Sequence, residues 1–126
     1  MSTVTIQLPH HRYEIRIEPG GLTESGDAVR ALAPHGQCAW LADPEVQALY
    51  GEAAKESLTA AGYAPLALAL EPGEEAKSLA SVERIYGLLL DARLERRSPL
   101  VALGGGITGD VAGFVAATYL RGVPFI

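Results

Sequence analysis

Leu100-Val101-Ala102-Leu103-Gly104-Gly105-Gly106-Ile107-Thr108-Gly109-Asp110 decides the fold of this chain. Four apolar residues run directly into three glycines, and small residues then continue to Leu120. A short apolar run bounded by turn residues reads as a strand covered on both faces, and the segment from about Asp110 to Leu120 reads as a small-residue helix. Strand, glycine turn and helix in that order form the unit of a parallel α/β sheet. Glycines at such a junction let the backbone approach a phosphate closely, and the unpaired N–H groups of a helix N-terminus favour an anion. Gly104, Gly106 and Gly109 satisfy the spacing G-x-G-x-x-G, but the acidic residue expected about 20 residues later is missing. The Rossmann fingerprint is half met. The other reading of these glycines is a tight turn with close helix packing.

Upstream, the same alternation of elements recurs. Leu79, Val82, Ile85, Tyr86, Leu89 and Leu90 have helical spacing up to about Leu94, and Arg93, Arg96 and Arg97 suit a basic last turn. Pro65 to Leu70 is another apolar run, separated from that helix by the polar turn Glu71 to Lys77. Cys38 to Ala42 is a third, and Asp43 with Pro44 begins a helix that continues through Val46, Leu49, Tyr50, Ala53 and Leu58 to Gly62. A short helix over Leu22 to Leu32 ends before Pro34. At the N-terminus, Val4, Ile6 and Leu8, then Tyr13, Ile15 and Ile17, alternate with polar residues on either side of a Pro9-His10-His11-Arg12 break, which makes a β-hairpin. Downstream, Val123 to Ile126 begins one more strand. The fold class is α/β, a Rossmann-like parallel sheet with helices on both faces, preceded by an antiparallel hairpin. No repeat, linker or low-complexity tract interrupts it.

The 126 residues amount to one domain, and 48% hydrophobic residues against 20% charged suffice for a packed core. Ten basic against fifteen acidic residues leave a net charge of −5, the wrong sign for gripping a phosphate backbone, so nucleic acid is not an expected partner. The alternating N-terminus has no secretion-signal pattern. The stretch from Leu100 to Leu120 approaches membrane length but carries Asp110 and the glycines, so no membrane role is expected. The single Cys38 can form neither an internal disulfide nor a thiolate cluster for zinc, in keeping with a cytoplasmic compartment.

Several residues could carry chemistry. Asp43, at the carboxyl end of a parallel strand, could accept hydrogen bonds from ribose hydroxyls or simply cap the following helix. Glu74 and Lys77, three apart, would share one side of a helical turn, facing a ligand or forming a solvated pair. Asp110 suits a helix first turn with or without a ligand. His10 and His11 point different ways on an extended chain and His35 lies in a Pro/Gly loop, so no metal site is expected from them. Cys38, Trp40 and Tyr86 are assigned to packing. Arg121, beside Gly122 after the glycine-loop helix, reads in isolation as a solvated charge.

Pro72-Gly73-Glu74-Glu75-Ala76-Lys77-Ser78 and the run Gly104-Gly105-Gly106-Ile107-Thr108-Gly109-Asp110-Val111-Ala112-Gly113-Phe114-Val115-Ala116-Ala117, followed by Arg121-Gly122, resemble the N-terminal part of the 3-dehydroquinate synthase family of sugar-phosphate cyclases. The resemblance implies that residues 1–126 are an NAD-binding domain, the first part of a longer two-domain lyase of the shikimate pathway, which leads to chorismate and the aromatic amino acids. Asp43 resembles that family's ribose-binding acid, and Gly73, Glu74 and Lys77 its second cofactor-contacting turn. Gly105, Gly106, Ile107, Thr108, Gly109 and Asp110 look like its pyrophosphate loop, and Arg121 matches an arginine that reaches the substrate phosphate across a homodimer interface. The implied substrate is a phosphorylated sugar acid, 3-deoxy-D-arabino-heptulosonate 7-phosphate, converted to 3-dehydroquinate and phosphate with catalytic NAD and a divalent metal, zinc or cobalt. The family's metal ligands, a glutamate and two histidines in an α-helical domain, would lie beyond Ile126, so the chain alone is expected to be inactive and to contain no catalytic or metal-binding residue. An NAD-dependent polyol or glycerol dehydrogenase, or a non-catalytic nucleotide-binding module, would share the sheet and a glycine loop.

Overall fold

A computed structural model describes residues 1–126. Strands β1 (Ser2–Leu8) and β2 (His11–Ile17) pair antiparallel, from Leu8 opposite His11 to Ser2 opposite Ile17. A 3-10 turn leads into helix α1 (Ser25–Leu32), followed by β3 (Gln37–Ala42), α2 (Pro44–Ala60) and β4 (Ala64–Ala69). Helix α3 (Leu79–Asp91), β5 (Leu100–Ala102) and α4 (Gly106–Thr118) complete the order. The three later strands form a parallel sheet in the order β4-β3-β5, with helices on both faces. Beyond β5 the chain returns: Leu100 N–H donates to Pro124 O (2.9 Å), Ala102 N–H to Ile126 O (2.8 Å) and Ile126 N–H to Leu100 O (3.1 Å). The strand expected from Val123 onward is therefore begun in parallel pairing with β5.

Strand β3 is central because it can be covered on both sides. Successive residues of a strand face opposite ways, and here the two-residue period divides the core. Ala39 and Leu41 enter a cluster with Leu68, Ile85, Leu89, Val111 and Val115 beneath α3 and α4. Cys38, Trp40 and Ala42 enter a second with Val29, Leu58 and Tyr63 beneath α1 and α2. Burial pushes the Cys38 thiol from its ordinary 9.0 up to about 12. The folded protein should resist a thiol reagent at about pH 8 and label only in denaturant; rapid labelling of the native state would contradict this burial. Because folding raises this pKa, the associated stability is intact below 9.0 and is lost as the pH climbs toward 12.

Polar groups inside the fold find partners. Trp40 Nε1 donates to Gln47 Oε1 (2.9 Å), Tyr63 Oη to Ala33 O (2.6 Å) and Tyr119 Oη to Leu94 O (2.8 Å). Gly26 N–H donates to Ser57 Oγ (2.9 Å), tying α1 to α2. Tyr86, expected in the packing, is only half-buried, lies 6.4 Å from the Tyr119 ring and hydrogen-bonds Thr118 Oγ1.

Several boundaries differ from the sequence expectation, among them the end of α3, the end of β5 and the start of α4. Helix α3 stops at Asp91 because Arg93 adopts a left-handed φ of 57°, and Leu94 N–H bonds back to Leu89 O (3.0 Å). The basic residues Arg93, Arg96 and Arg97 consequently lie outside the helix. Strand β5 ends one residue early, at Ala102. Helix α4 starts at Gly106 rather than about Asp110, so Gly106, Ile107, Thr108 and Gly109 belong to its first turn. Low helix propensity masks this start in the sequence, but Gly109 N–H already donates to Gly105 O (3.0 Å).

Candidate functional site

All three strands of the parallel sheet end on one side, and their carboxyl ends gather most of the candidate residues. Leu70 N–H donates to Ala42 O (2.9 Å) and Leu103 N–H to Leu41 O (2.9 Å), which sets the turns after β4 and β5 on either side of Asp43. This edge is where open α/β sheets bind ligands.

Asp43 makes the helix cap. Its Oδ1 accepts from Val46 N–H (2.9 Å) ahead of Pro44, while no hydrogen bond within the chain engages Oδ2. The capping reading is therefore realised geometrically, with one carboxylate oxygen left over. After β4, Gly73 takes a φ of 93°, a backbone that L-residues avoid, and turns the chain into the 3-10 segment Glu74–Ala76. Ser78 then caps α3 by accepting from Ser81 N–H (3.1 Å).

That turn carries the link between the two motifs. Lys77 Nζ lies 2.8 Å from Asp110 Oδ2, on the second turn of α4, and 3.3 Å from Glu74 Oε2. Hydrogen bonds to Asp110 and then to Glu74 raise the Lys77 pKa above its ordinary value, so it remains an ammonium through the neutral range. Glu74 and Lys77 do share one side, as their spacing required, and Lys77 reaches Asp110 as well. A groove of about 260 Å³ runs beside this triad, floored by Leu79, Val82, Val111 and Phe114. In the sequence Leu79 and Val82 stand out only through their helical spacing, and Val111 and Phe114 only as members of the glycine-loop motif, so no residue type marks the groove they line.

At the glycine turn, roles separate. Gly104 has a φ of 154°, and a Cβ there would sit 2.9 Å from Thr108 Oγ1, so the fold itself requires this glycine. A Cβ at Gly105, Gly106 or Gly109 would meet nothing within 4 Å. The chain's own packing asks for no glycine at these three positions; they leave open space over the start of α4. The first N–H groups of this helix have no intrahelical partner and point toward that space. Thr108 is 3% exposed, so its side chain faces the protein and its backbone N–H is what it can offer. Ile107 is half-buried against the larger core cluster.

Arg121 is not brought to this edge. It lies in a 3-10 segment after α4, exposed, with a left-handed φ of 69°. Helix α4 runs from Gly106 to Thr118 and Arg121 follows its far end, so the helix rise sets it about 20 Å from the open helix start. No group of three or more His, Cys, Asp or Glu side chains is placed to hold a metal ion; His35, for instance, pairs through Nε2 with Glu95 Oε2 at 2.9 Å. No helix is long and apolar enough to cross a membrane.

Comparisons with known proteins agree with this architecture. Residues 67–126 match the family described as 3-dehydroquinate synthase N-terminal. The chain is 44% identical over 126 residues to a 3-dehydroquinate synthase of Pelotomaculum thermopropionicum, covering 100% of this chain and 34% of that protein. It thus spans about a third of the length of the curated relatives it matches. Among solved structures, a 2-deoxy-scyllo-inosose synthase superposes with a TM-score of 0.84 at 25% identity, over 98% of this chain and 35% of that one. A 2-deoxy-scyllo-inosose synthase complexed with carbaglucose-6-phosphate, NAD+ and Co2+ superposes with a TM-score of 0.82 at 26% identity, over 98% and 34%. Through the glycine turn, α4 and the sheet that carries them, the chain matches the N-terminal part of the 3-dehydroquinate synthase family.

Proposed function

We propose that this chain supplies the NAD site of a 3-dehydroquinate synthase. The observation that carries the reading is the open space over Gly105, Gly106 and Gly109, which the fold does not need and a bound pyrophosphate would use. The donor set fits such a group: unpaired N–H groups of Gly106, Ile107 and Thr108 at the start of α4 would donate to its oxygens. Asp43 Oδ2, unused by the cap, would take ribose hydroxyls, and the Gly73 turn with Glu74 and Lys77 would border the same cofactor. When bound, NAD supplies reversible oxidation of a substrate carbinol. Lys77, held as a cation between Asp110 and Glu74, fixes the β4 turn against α4 so that the two walls of the site keep their spacing.

A divalent metal does not fit the residues present, since no ligand cluster is assembled. In this reading the metal, the remainder of the substrate pocket and turnover itself belong to parts of the family's length that these residues do not span, and these residues alone do not turn over substrate. Arg121, about 20 Å from the helix start, would serve the substrate phosphate of a second subunit in a homodimer. Its planar fork and permanent charge suit a phosphate that becomes the leaving group.

The test is made on the full-length gene product. With 3-deoxy-D-arabino-heptulosonate 7-phosphate it should release phosphate without net formation of NADH; net NADH formation would instead identify a dehydrogenase. In the same assay Arg121→Lys keeps the charge but loses the fork, and turnover should fall by about tenfold or more with NAD affinity unchanged. Full activity of this variant would return Arg121 to the status of a surface charge.

A further inference from the structure

Within residues 1–126 the hairpin is the part left uncovered. Val4, Leu8, Tyr13, Ile15 and Ile17 share one face, and each keeps between 45 and 59% of its surface exposed. The two strands contact each other and touch the rest of the chain only slightly. A two-stranded hairpin is marginal in water by itself, whereas a wider sheet with one apolar face is not. Both outer edges also present unpaired backbone N–H and C=O groups.

The edge of β2 carries a pattern that selects a partner. Arg12, Glu14 and Arg16 alternate in sign on the polar face, and Glu18 follows directly. A charged edge guards against pairing when its charges have one sign; this sequence is complementary to itself when reversed. We infer that two copies of this protein join along the free edge of β2, antiparallel, with Ile15 facing its own counterpart on a two-fold axis. Directly opposed residues in antiparallel strands share a face. In this register Glu14 stands opposite Arg16 of the second copy and Arg12 opposite Glu18, each twice by symmetry, giving four opposite-charge pairs. On the other face Tyr13 stands opposite Ile17.

Neighbouring registers that keep the faces aligned are worse. Centring on Glu14 opposes Glu14 to itself and Arg12 to Arg16. Centring on Arg16 opposes Arg16 to itself and Glu14 to Glu18. Centring on Tyr13 retains only the two Arg12–Glu14 pairs. The β1 edge, Ser2 to Leu8, has no charges with which to set a register. Pairing through β2 makes a four-stranded sheet with both apolar faces on one side, and within each copy the exposed Arg12–Glu14 contact of 3.4 Å is exchanged for pairs across the axis.

This inference rests on the homodimer proposed above and specifies its surface. It is tested by sedimentation equilibrium of the full-length protein. Glu14→Arg should raise the dimer dissociation constant about tenfold or more, because it sets two arginine pairs against each other. Adding Arg16→Glu in the same chain should restore the constant to within about threefold, since the Glu–Arg pairs are re-formed with their ends exchanged. A register centred on Tyr13 would not be rescued by this second change. Ile15→Cys should form an intermolecular disulfide on mild oxidation, as directly opposed Cβ atoms come within bonding reach, while Tyr13→Cys should not; buried Cys38 stays silent. A dimer indifferent to Glu14→Arg, one joined through β1, or a crosslink at Tyr13 and not at Ile15 would overturn the inference and leave the homodimer standing. A wild-type protein that remains monomeric at tens of micromolar would remove both.

Discussion

Gly106→Val should reduce NAD affinity by roughly 100-fold or more while leaving the melting temperature unchanged. The first residue of α4 needs no glycine for its own geometry: its φ is not left-handed and an added Cβ meets nothing within 4 Å. A branched side chain there would stand in the space over the helix start, where a pyrophosphate must come close to the backbone. Losing two charge-assisted hydrogen bonds, at about 1.5 to 3 kcal/mol each, accounts for the magnitude. Gly104→Val is the contrast. Its Cβ would meet Thr108 Oγ1 at 2.9 Å in a backbone conformation foreign to L-residues, so stability and binding should fall together. Calorimetric titration with NAD beside a thermal melt separates the two. Wild-type affinity in a folded Gly106→Val protein would remove this turn from the cofactor site.

Ile85→Ala should lower the unfolding free energy by about 2 to 5 kcal/mol, the usual cost of a large aliphatic truncation that leaves a cavity. Ile85 is fully buried on α3, within the cluster that also holds Leu41 from β3 and Val111 and Val115 from α4. The cavity would open beneath the two helices that wall the groove beside Lys77 and Asp110, so the effect should extend to the site as weaker NAD binding. Leu90, one face away on the same helix and 57% exposed, should tolerate alanine within about 0.5 kcal/mol. Urea denaturation of both variants gives the comparison, and equal midpoints would place Ile85 outside the core.

The sheet was legible because burial on both faces leaves a direct mark. Cys38 to Ala42 and Leu100 to Leu103 are unbroken apolar runs, and only a covered strand tolerates such a sequence next to turn residues. Helical spacing from Leu79 to Leu90 was equally clear, as was the hairpin alternation. The start of α4 was not. Gly106 and Gly109 weaken helix propensity, and the carbonyl of Gly105 that closes the first turn leaves no trace in residue type. The end of α3 was hidden for a related reason, since an arginine rather than a glycine takes the left-handed position at Arg93.

For the site, residue types and local spacing determined a nucleotide-compatible turn, a carboxylate at the end of β3 and a Glu74–Lys77 pair, because each depends on neighbours within a few residues. Tertiary structure alone decided that Lys77 reaches Asp110 across 33 positions of sequence, and that Asp43 spends one oxygen on the cap and keeps the other. It also separated Gly104, which the fold needs, from Gly105, Gly106 and Gly109, which it does not. Local sequence records what a backbone can do, whereas which side chains meet, and where space stays open, follows from how α3, α4 and the sheet pack together.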